Sequence, residues 1–366
     1  MKIIHIIPNL KRGGAERICI DICNELQNQG HDVLLILFQN NNEYPELTRQ
    51  LNIKTIPSSY TPSILRKNKL KIEELEKTIS DFKPHIIHSH LYEADLVSYQ
   101  LKIEKTKFFS HLHSKRKEFL TSETKGLKTK IIHLWEKKQY IKLLKRKNVF
   151  SIAISKDLYE FAITRISQPK TNCFLLANCI DYSKFKSKSK SLEFPIELIS
   201  LGTFNNNKSQ DFLIHCFELL DKEKFKLTFI GDGNTLHQCK KLAEEKNLLD
   251  SILFIGQQNS PETFLKKGHI FIHASKSEAF GLALIEAMAA GMPVITTDGK
   301  GNRDLIKESE NGFMIWDRKP ELFANKINEL VNSPELYKHM SQKAIAFAAK
   351  YDVKAYCKKL IEIYQV

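Results

Sequence analysis

Short apolar runs alternate with stretches that have the apolar spacing of a helix, and this alternation recurs along most of the chain. Residues 3–7 and 33–38 are strand-like, and between them apolar residues recur at 15, 18, 19, 22 and 26, the spacing of one helical face. A strand, a helix and a strand within so short a segment predict a βαβ unit, and such units build parallel sheets. Further strand-like runs extend the series at 85–88, 107–111 and 150–154.

The alternation stops in a Lys/Ser-rich segment and then starts again. Residues 184–195 have low complexity and no apolar face, which predicts a linker. Strand-like runs return at 196–201, 226–230, 252–255, 270–272 and 293–296, and helices are predicted near 319–331, 334–350 and 353–364. We therefore predict an α/β protein with two Rossmann-like domains whose parallel sheets face an interdomain cleft, because ligands of such sheets bind outside the carboxyl ends of the strands. The predicted bounds are 1–183 for the N-terminal domain, 184–195 for the linker, 196–350 for the C-terminal domain, and 351–366 for a last helix that packs back on the N-terminal domain.

Composition excludes several classes of protein. The chain has 366 residues, of which 42% are hydrophobic and 27% charged, the balance of a globular protein of about two domains. No run of about 18 apolar residues is present, and residues 1–8 are too short for a signal peptide. The seven cysteines have neither framework nor zinc-finger spacing, so Cys19 and Cys23, on the apolar side of a predicted helix, are expected to be buried free thiols of a reducing cytoplasm.

The most informative stretch runs from residue 275 to 295 and carries Glu278 and Glu286 on either side of Gly281, which is predicted to open a helix. Backbone N–H groups at such a helix start bind anions. If both glutamates were helical, their separation would be roughly 12 Å, too far to share one reacting bond. They could instead hold the two ends of a long ligand, with its phosphates between them. The alternative is a helix cap for Glu278 and a core hydrogen bond for Glu286.

These two glutamates, followed by Ala-Met-Ala-Ala-Gly-Met-Pro-Val, resemble the signature of the retaining glycosyltransferases of family 4, which have the GT-B fold. The loop at 9–17 resembles the family's N-terminal glycine loop, the Gly-Asp-Gly of 231–233 its GDG turn, and the Asn-Gly-Phe of 311–313 its late turn. The resemblance covers nearly the whole chain and is most specific between 196 and 316.

The resemblance implies that the domain of residues 1–183 binds the acceptor and that the domain of residues 196–350 binds the nucleotide sugar in a donor site. The residue matching Glu278 approaches the hydroxyls of the donor sugar, and the one matching Glu286 holds the ribose. The backbone amides around Phe280, Gly281 and Leu282 receive the diphosphate and the sugar.

The family also places an Arg and a Lys on the diphosphate, and the matching positions here are Thr203 and Lys208. Lys208 would stabilise the charge that develops on the leaving nucleoside diphosphate, whereas Thr203 supplies no charge. Arg303 is a candidate substitute, and an ordinary surface arginine is the alternative.

Further site residues are predicted in the first half. Gly13 and Gly14 follow the first strand, and without a Cβ they would let a phosphate or sugar approach the backbone, although a tight turn needs no ligand. His113 is the better match to a family histidine near the reacting sugar, and with Glu278 and Lys208 it completes the predicted catalytic set. Gly231 is assigned to donor binding, and the absence of a third glycine after Gly233 argues against a nicotinamide enzyme.

We therefore predict a cytoplasmic retaining hexosyltransferase that moves a sugar from a nucleotide sugar, first of all a UDP-sugar, to a glycan or lipid-linked acceptor in surface polysaccharide biosynthesis. In the family the acceptor is thought to attack on the face that the diphosphate leaves. No Asp-x-Asp pair is present, so neither a metal nor another cofactor is expected. The alternatives are a nucleotide-sugar epimerase of the same fold and a non-catalytic sugar-nucleotide-binding protein.

The net charge of +14 is concentrated in one segment. Residues 102–147 contain 15 Lys/Arg against four Asp/Glu, and residues 130–147 have helical apolar spacing that includes Trp135. A basic amphipathic helix predicts binding to an anionic membrane surface, here the inner face of the membrane, with a solvated face on a packed helix as the alternative. No nucleic-acid motif accompanies the charge, so a nucleic-acid partner is not expected.

Overall fold

The computed structural model describes residues 1–61, 68–103, 105–115, 126–146 and 148–366. These residues form two compact units. The first comprises Met1–Asn178 and Val353–Val366, and the second comprises Cys179–Asp352.

The described residues of the first unit form nine strands: β1 (Lys2–Ile7), β2 (Asp32–Leu37), β3 (Asn52–Thr55), β4 (Ser59–Thr61), β5 (Lys69–Lys71), β6 (Ile86–His90), β7 (Lys107–Leu112), β8 (Val149–Ala153) and β9 (Cys173–Leu175). Seven of them form a parallel sheet in the order β3-β2-β1-β6-β7-β8-β9, while β4 and β5 form a separate antiparallel pair. Its helices are α1 (Gly14–Asn28), α2 (Pro45–Thr48), α3 (Glu73–Phe82), α4 (Tyr92–Ser98), α5 (Leu127–Leu144), α6 (Lys156–Arg165) and, at the C-terminus, α14 (Val353–Tyr364).

The second unit contains six strands: β10 (Ile196–Leu201), β11 (Phe225–Ile230), β12 (Ile252–Phe254), β13 (Ile270–His273), β14 (Val294–Thr297) and β15 (Gly312–Ile315). They form one parallel sheet in the order β12-β11-β10-β13-β14-β15. Its helices are α7 (Tyr182–Phe185), α8 (Gln210–Glu218), α9 (Leu236–Glu245), α10 (Glu262–Leu265), α11 (Leu282–Ala289), α12 (Pro320–Val331) and α13 (Pro334–Ala348).

Continuous apolar runs form the central strands because both faces of a parallel sheet are covered. In β1 and β2 every residue after the first is buried. In the second unit, the core gathers aromatic side chains from the loop after β10, from β11, from β15 and from α12, namely Phe204, Phe229, Phe313 and Phe323. The prediction of two parallel-sheet α/β domains is confirmed.

Both sheets reverse their strand order at one point, and this positions the candidate site. In the second unit the reversal lies between β10 and β13, which are neighbours in the sheet. In the first unit it lies between β1 and β6. The crevice outside the carboxyl ends of such a strand pair is where open α/β sheets bind ligands.

The predicted linker is part of the second unit, which begins at Cys179 rather than at residue 196. The Lys190 ammonium donates to the carbonyl oxygens of Gly268 and Ala290, and the Ser187 amide donates to Ala289. Burial lowers the pKa of Lys190 to about 8. Low sequence complexity therefore does not indicate a flexible linker here, because the Lys190 ammonium and the Ser187 amide bind this segment to backbone carbonyl oxygens of the second unit. The last helix, α14, belongs to the first unit, and the chain passes from one unit to the other at 178/179 and 352/353.

Among the described residues, no helix has both the length and the apolar character needed to cross a bilayer. Helix α5 lies where the basic amphipathic helix is predicted, but its apolar residues are distributed around the helix and not gathered on one face, so the amphipathic pattern is wrong. It buries Tyr140 and Leu144 but leaves Ile131 and Leu134 about half exposed. Within the basic segment 102–147, residues 104, 116–125 and 147 lie outside the described residues.

Candidate active site

The loop after β10 presents Lys208 to the loop after β13. The side-chain oxygen of Asn205 accepts hydrogen bonds from the amides of Asn207 and Lys208 at 3.0 and 2.9 Å, which closes a tight turn. Asn207 then ties this turn to the neighbouring loop: its side-chain amide donates to the Ser277 carbonyl oxygen, and its own carbonyl oxygen accepts from the Lys276 amide, both at 2.8 Å. The two loops therefore hold each other at the switch point.

Glu278 is the centre of this arrangement. Its Oε1 accepts from the Lys208 ammonium and, at 2.8 Å, from Nε2 of His273, the last residue of β13. The Glu278 side chain is only 10% exposed and that of His273 only 4%. Burial by itself would raise the pKa of Glu278, but Lys208 and His273 together hold it well below its ordinary value. Glu278 is thus a fixed carboxylate, and both of these donors bond to Oε1, so that no described residue donates to Oε2.

The backbone of Glu278 is held by a glycine loop. Its amide donates to the Gly299 carbonyl oxygen at 2.7 Å, and its carbonyl oxygen accepts from the Gly301 amide at 3.1 Å. A Cβ on Gly301 would lie 2.3 Å from that carbonyl oxygen, so only glycine allows this approach. The fully buried Asn302 braces the loop, because its side chain bonds to the Gly299 amide and to the Thr297 carbonyl oxygen.

Helix α11 begins immediately beyond this loop. Gly281 caps it with a φ of +108°, a conformation that favours glycine, and Leu282 is the first helical residue. The first amides of a helix have no acceptor within the helix, so those around Gly281 and Leu282 can donate to an anion. Phe280 is buried, and Glu286 lies half-buried inside α11. Glu278 lies in the loop rather than in the helix, so the 12 Å separation for a helical pair does not apply.

Thr203 and Gly231 are both neighbours of Gly202, in two loops that pack backbone against backbone. The Lys208 stem passes Gly202, and a Cβ on Gly231 would lie 2.1 Å from the Gly202 carbonyl oxygen. The approach of the two loops therefore explains the glycine at 231 without a ligand. Thr203 is exposed, and its carbonyl oxygen accepts from the Gln210 side chain.

Arg303 is engaged with a neighbouring carboxylate. It makes two hydrogen bonds to Asp298, at 2.8 and 2.6 Å, and its guanidinium lies over the Trp316 ring. To bind a diphosphate, Arg303 would have to give up both hydrogen bonds to Asp298.

The predicted residues of the first unit lie at the ends of β1 and β7. Gly13 caps α1 in an extended conformation, and its amide donates to the Tyr44 hydroxyl at 3.1 Å. A Cβ there would lie 2.3 Å from a Glu16 carboxylate oxygen, whereas Gly14 is exposed.

His113 follows β7, and its Nε2 lies 2.9 Å from Nδ1 of His90. It stacks on His111, and both line a cavity of about 60 Å³ together with Tyr92 and Ser114. Burial and the nearby His111 hold the pKa of His113 well below its ordinary value, so the ring is neutral at pH 7. A neutral imidazole can both accept and donate a hydrogen bond.

Sequence reasoning did not include His273, Asn302 or Arg318 in this site. Arg318 donates to the Ala274 carbonyl oxygen and to the Thr297 hydroxyl, both at 2.8 Å, and so fixes the exit of β13. The only sequence signal for His273 was its place at the end of a predicted strand, five residues before Glu278. Asn302 and Arg318 act on backbone carbonyls, which a sequence motif does not show.

Two family models match the chain. The model described as Glycosyltransferase Family 4 matches residues 12–184, and the model described as Glycosyl transferases group 1 matches residues 181–347. The chain belongs to glycosyltransferase family 4. The family that its motifs resemble is thereby confirmed, and the protein is a glycosyltransferase of this type with relatives in polysaccharide synthesis.

Three curated relatives illustrate the family. An uncharacterized glycosyltransferase of Haemophilus influenzae is 26% identical over 99% of this chain and 98% of its own. The capsular polysaccharide biosynthesis glycosyltransferase CapH of Staphylococcus aureus is 25% identical over 100% of this chain and 98% of its own. A Campylobacter jejuni diphospho-undecaprenol N-acetylgalactosaminyltransferase is 28% identical over 58% of this chain and 59% of its own.

Solved structures share the fold over the whole chain. The Anabaena protein HepE in complex with UDP and glucose matches with a TM-score of 0.79 and 18% identity, over 99% of this chain and 98% of that chain. At this identity the likeness establishes the fold, which is GT-B.

Proposed function

We propose that this protein is a retaining hexosyltransferase that takes a sugar from a UDP-sugar and transfers it to a glycan or lipid-linked acceptor in surface polysaccharide synthesis. The observation that carries the proposal is Glu278, held as a carboxylate by Lys208 and His273 directly before the N-terminus of α11. The arrangement offers a hydrogen-bond acceptor for sugar hydroxyls beside backbone donors for a diphosphate.

Each group has a distinct role in this proposal. Oε2 of Glu278 accepts a hydroxyl of the donor sugar, while the first amides of α11 receive the diphosphate. Lys208, which holds Glu278 here, turns to the leaving diphosphate and stabilises its growing charge, and Glu286 holds the ribose. His113 contacts the sugar that is transferred. Transfer with retention then uses same-face attack, and the site chemistry requires no metal.

The relatives support the donor and acceptor classes. HepE was crystallised with UDP and glucose, CapH acts in capsular polysaccharide biosynthesis, and the Campylobacter relative acts on a diphospho-undecaprenol sugar. These properties belong to those proteins, and for this chain they define which substrates to test first.

The experiment compares Glu278→Gln and Glu286→Gln with Glu310→Gln, a matched control at an exposed surface position. Purified protein is screened against UDP- and GDP-sugars for stabilisation, hydrolysis and transfer, and NMR determines the anomer of the product. We expect both site variants to lose at least about 100-fold in turnover, the control to keep its activity, and the anomeric configuration to be retained. Near-normal turnover in both site variants would reject the assignment.

The same screen separates the alternatives. Conversion of the UDP-sugar into its epimer without an acceptor would identify an epimerase, and UDP binding without transfer or hydrolysis would identify a binding protein. Full activity in excess EDTA is expected, because no step of the proposal uses a metal.

We also propose that α5 holds the protein on the inner face of the membrane. The exposed Ile131 and Leu134 lie among the lysines of this helix, which suits an anionic lipid surface. Flotation with phosphatidylglycerol vesicles is expected at low salt and not with phosphatidylcholine vesicles. No flotation at low salt would remove the membrane proposal and leave the transferase proposal intact.

A further inference from the structure

Soft metal donors meet in the core of the first unit, among residues that the proposed function does not use. His5 comes from β1, and Cys19 and Cys23 come from consecutive turns of α1. One ligand atom from each of the three lies within 4.8 Å of the others. All three side chains are fully buried, at 0% exposure.

The two ring nitrogens of His5 differ in their surroundings. Its Nδ1 lies 2.9 Å from Nε2 of His90, so this side of the ring has a hydrogen-bond partner. Its Nε2 is buried and has no hydrogen-bond partner among the residues that the structure describes. A buried orphan nitrogen requires an explanation, and an absent ion is one. Metal-bound histidines characteristically donate their other N–H to a fixed neighbour, as Nδ1 of His5 can do to His90.

A third thiol lies on the C-terminal helix of the same unit. Cys357 belongs to α14, which packs against α1, and its buried thiol donates to the carbonyl oxygen of Ile22, the residue before Cys23, at 3.9 Å. Its sulfur is not one of the three ligand atoms that lie within 4.8 Å of one another.

We propose that His5, Cys19 and Cys23 form a structural site for a thiophilic divalent cation such as Zn²⁺, with Cys357 as the fourth ligand. One imidazole and three thiolates are a donor set typical of closed, tetrahedral zinc sites. Tetrahedral Zn–S bonds of about 2.3 Å place two sulfurs about 3.8 Å apart, so the ligand atoms of His5, Cys19 and Cys23 would move together by at most about 1 Å. The Cys357 sulfur would leave the Ile22 carbonyl oxygen to join them. Binding releases the thiol protons to the solvent and involves no redox step.

The position of the site explains what the metal would do. It joins the first strand, the first helix and the last helix of the first unit, and so fastens α14 to a sheet from which it is separated by the whole second unit in sequence. Because every ligand is buried, the ion would enter during folding and exchange slowly with solvent. His5, Cys19, Cys23 and Cys357 belong neither to the predicted catalytic set nor to the predicted donor-binding set, so this proposal does not rest on the proposed function.

The test measures metal in the full-length protein. Cells are grown with added Zn²⁺, and the purified, desalted protein is analysed by plasma mass spectrometry. We expect about one zinc per chain in the wild type and a loss of at least about tenfold in Cys19→Ser/Cys23→Ser. The matched control is Cys216→Ser/Cys239→Ser, whose two cysteines are also buried but lie in the second unit. Zinc retained by the first double variant, or lost equally by the control, would overturn the proposal.

A second measurement uses the wild type alone and does not depend on whether a variant folds. The protein is unfolded, stripped of metal and refolded with Co²⁺, and its absorption spectrum is recorded. Thiolate ligation predicts an intense sulfur-to-cobalt charge-transfer band in the near ultraviolet. The proposal is wrong if refolded protein with native circular dichroism shows no such band and the protein from zinc-supplemented cells contains less than about a tenth of an equivalent of zinc.

Discussion

Lys208→Met removes the cation that holds Glu278 and leaves the shape of the lysine stem nearly unchanged. In the wild type the Lys208 side chain is 24% exposed and the Glu278 side chain 10% exposed, so the ion pair is largely withdrawn from water. The carboxylate would keep His273 as its hydrogen-bond donor but lose its charged partner. We therefore expect Lys208→Met to destabilise the second unit.

The magnitude follows from the burial of the pair. Removing one partner of a buried ion pair costs about 3–5 kcal/mol, because the other charge stays buried and unpaired. Lys208 is partly exposed, so the lower end applies, and we expect a loss of about 3 kcal/mol. Adding Glu278→Gln to Lys208→Met removes the unpaired charge, so the double variant should be more stable than Lys208→Met alone by about 2 kcal/mol.

The assay is urea unfolding of the four proteins of this double-mutant cycle at pH 7.5, with pulsed hydrogen exchange of β13 and β14 peptides as the reporter of the second unit. Lys276→Met is the matched control, because Lys276 lies in the same loop but is exposed. We expect the control to stay within about 0.5 kcal/mol of the wild type.

Two results would refute the reasoning. Lys208→Met could be as stable as Lys276→Met, which would mean that the pair contributes nothing. Alternatively, the losses from Lys208→Met and Glu278→Gln could simply add, which would mean that the two side chains are not coupled. The same variant is expected to slow sugar transfer by about 100-fold or more, because the leaving diphosphate also loses its cation.

Three further predictions address other parts of the molecule. Burial lowers the pKa of His111 to about 4, so protonation favours the unfolded state and stability is lost as the pH falls below about 6.5. Between pH 7.5 and 5.0, the wild type should lose about 2 kcal/mol more stability than His111→Gln, measured by urea unfolding with hydrogen exchange of β7 as the reporter. Equal losses in the two proteins would contradict this. Gly231→Ala should lower the free energy of unfolding in urea by about 2–3 kcal/mol, because its Cβ would contact the backbone of Gly202. Gly256→Ala, with open space around its Cβ, should lower it by about 1 kcal/mol. Similar losses in the two variants would show that the close approach is unimportant. His273→Phe should lower kcat by about 10- to 100-fold with little change in KM. His273→Gln should restore part of the lost kcat, because the glutamine amide can donate a hydrogen bond to Glu278. If His273→Gln is no more active than His273→Phe, His273 does not position Glu278.

Much of the fold could be predicted from the sequence because its central strands are continuous apolar runs. The prediction placed β10 at its observed bounds, and it placed most other central strands within one or two residues. It did not find β3, whose four residues are exposed or half-exposed, because an edge strand of this kind has no apolar run to recognise. Hydrogen bonds to distant carbonyls, rather than composition, hold residues 184–195 on the second unit.

The sequence by itself determined the fold class, the family and the chemical character of the candidate site. These depend on local information: periodicity selects helix or strand, and the glycines and glutamates near 281 specify a loop and a helix start. Only the tertiary structure decided which groups meet. Lys208 and Glu278 are 70 positions apart, and they form a pair because β10 and β13 are neighbours at the point where the sheet reverses its strand order. His273 supports the site through the Glu278 carboxylate, and Asn302 and Arg318 support it through backbone groups and a threonine hydroxyl. Such contacts exist only once the parallel strands are in register.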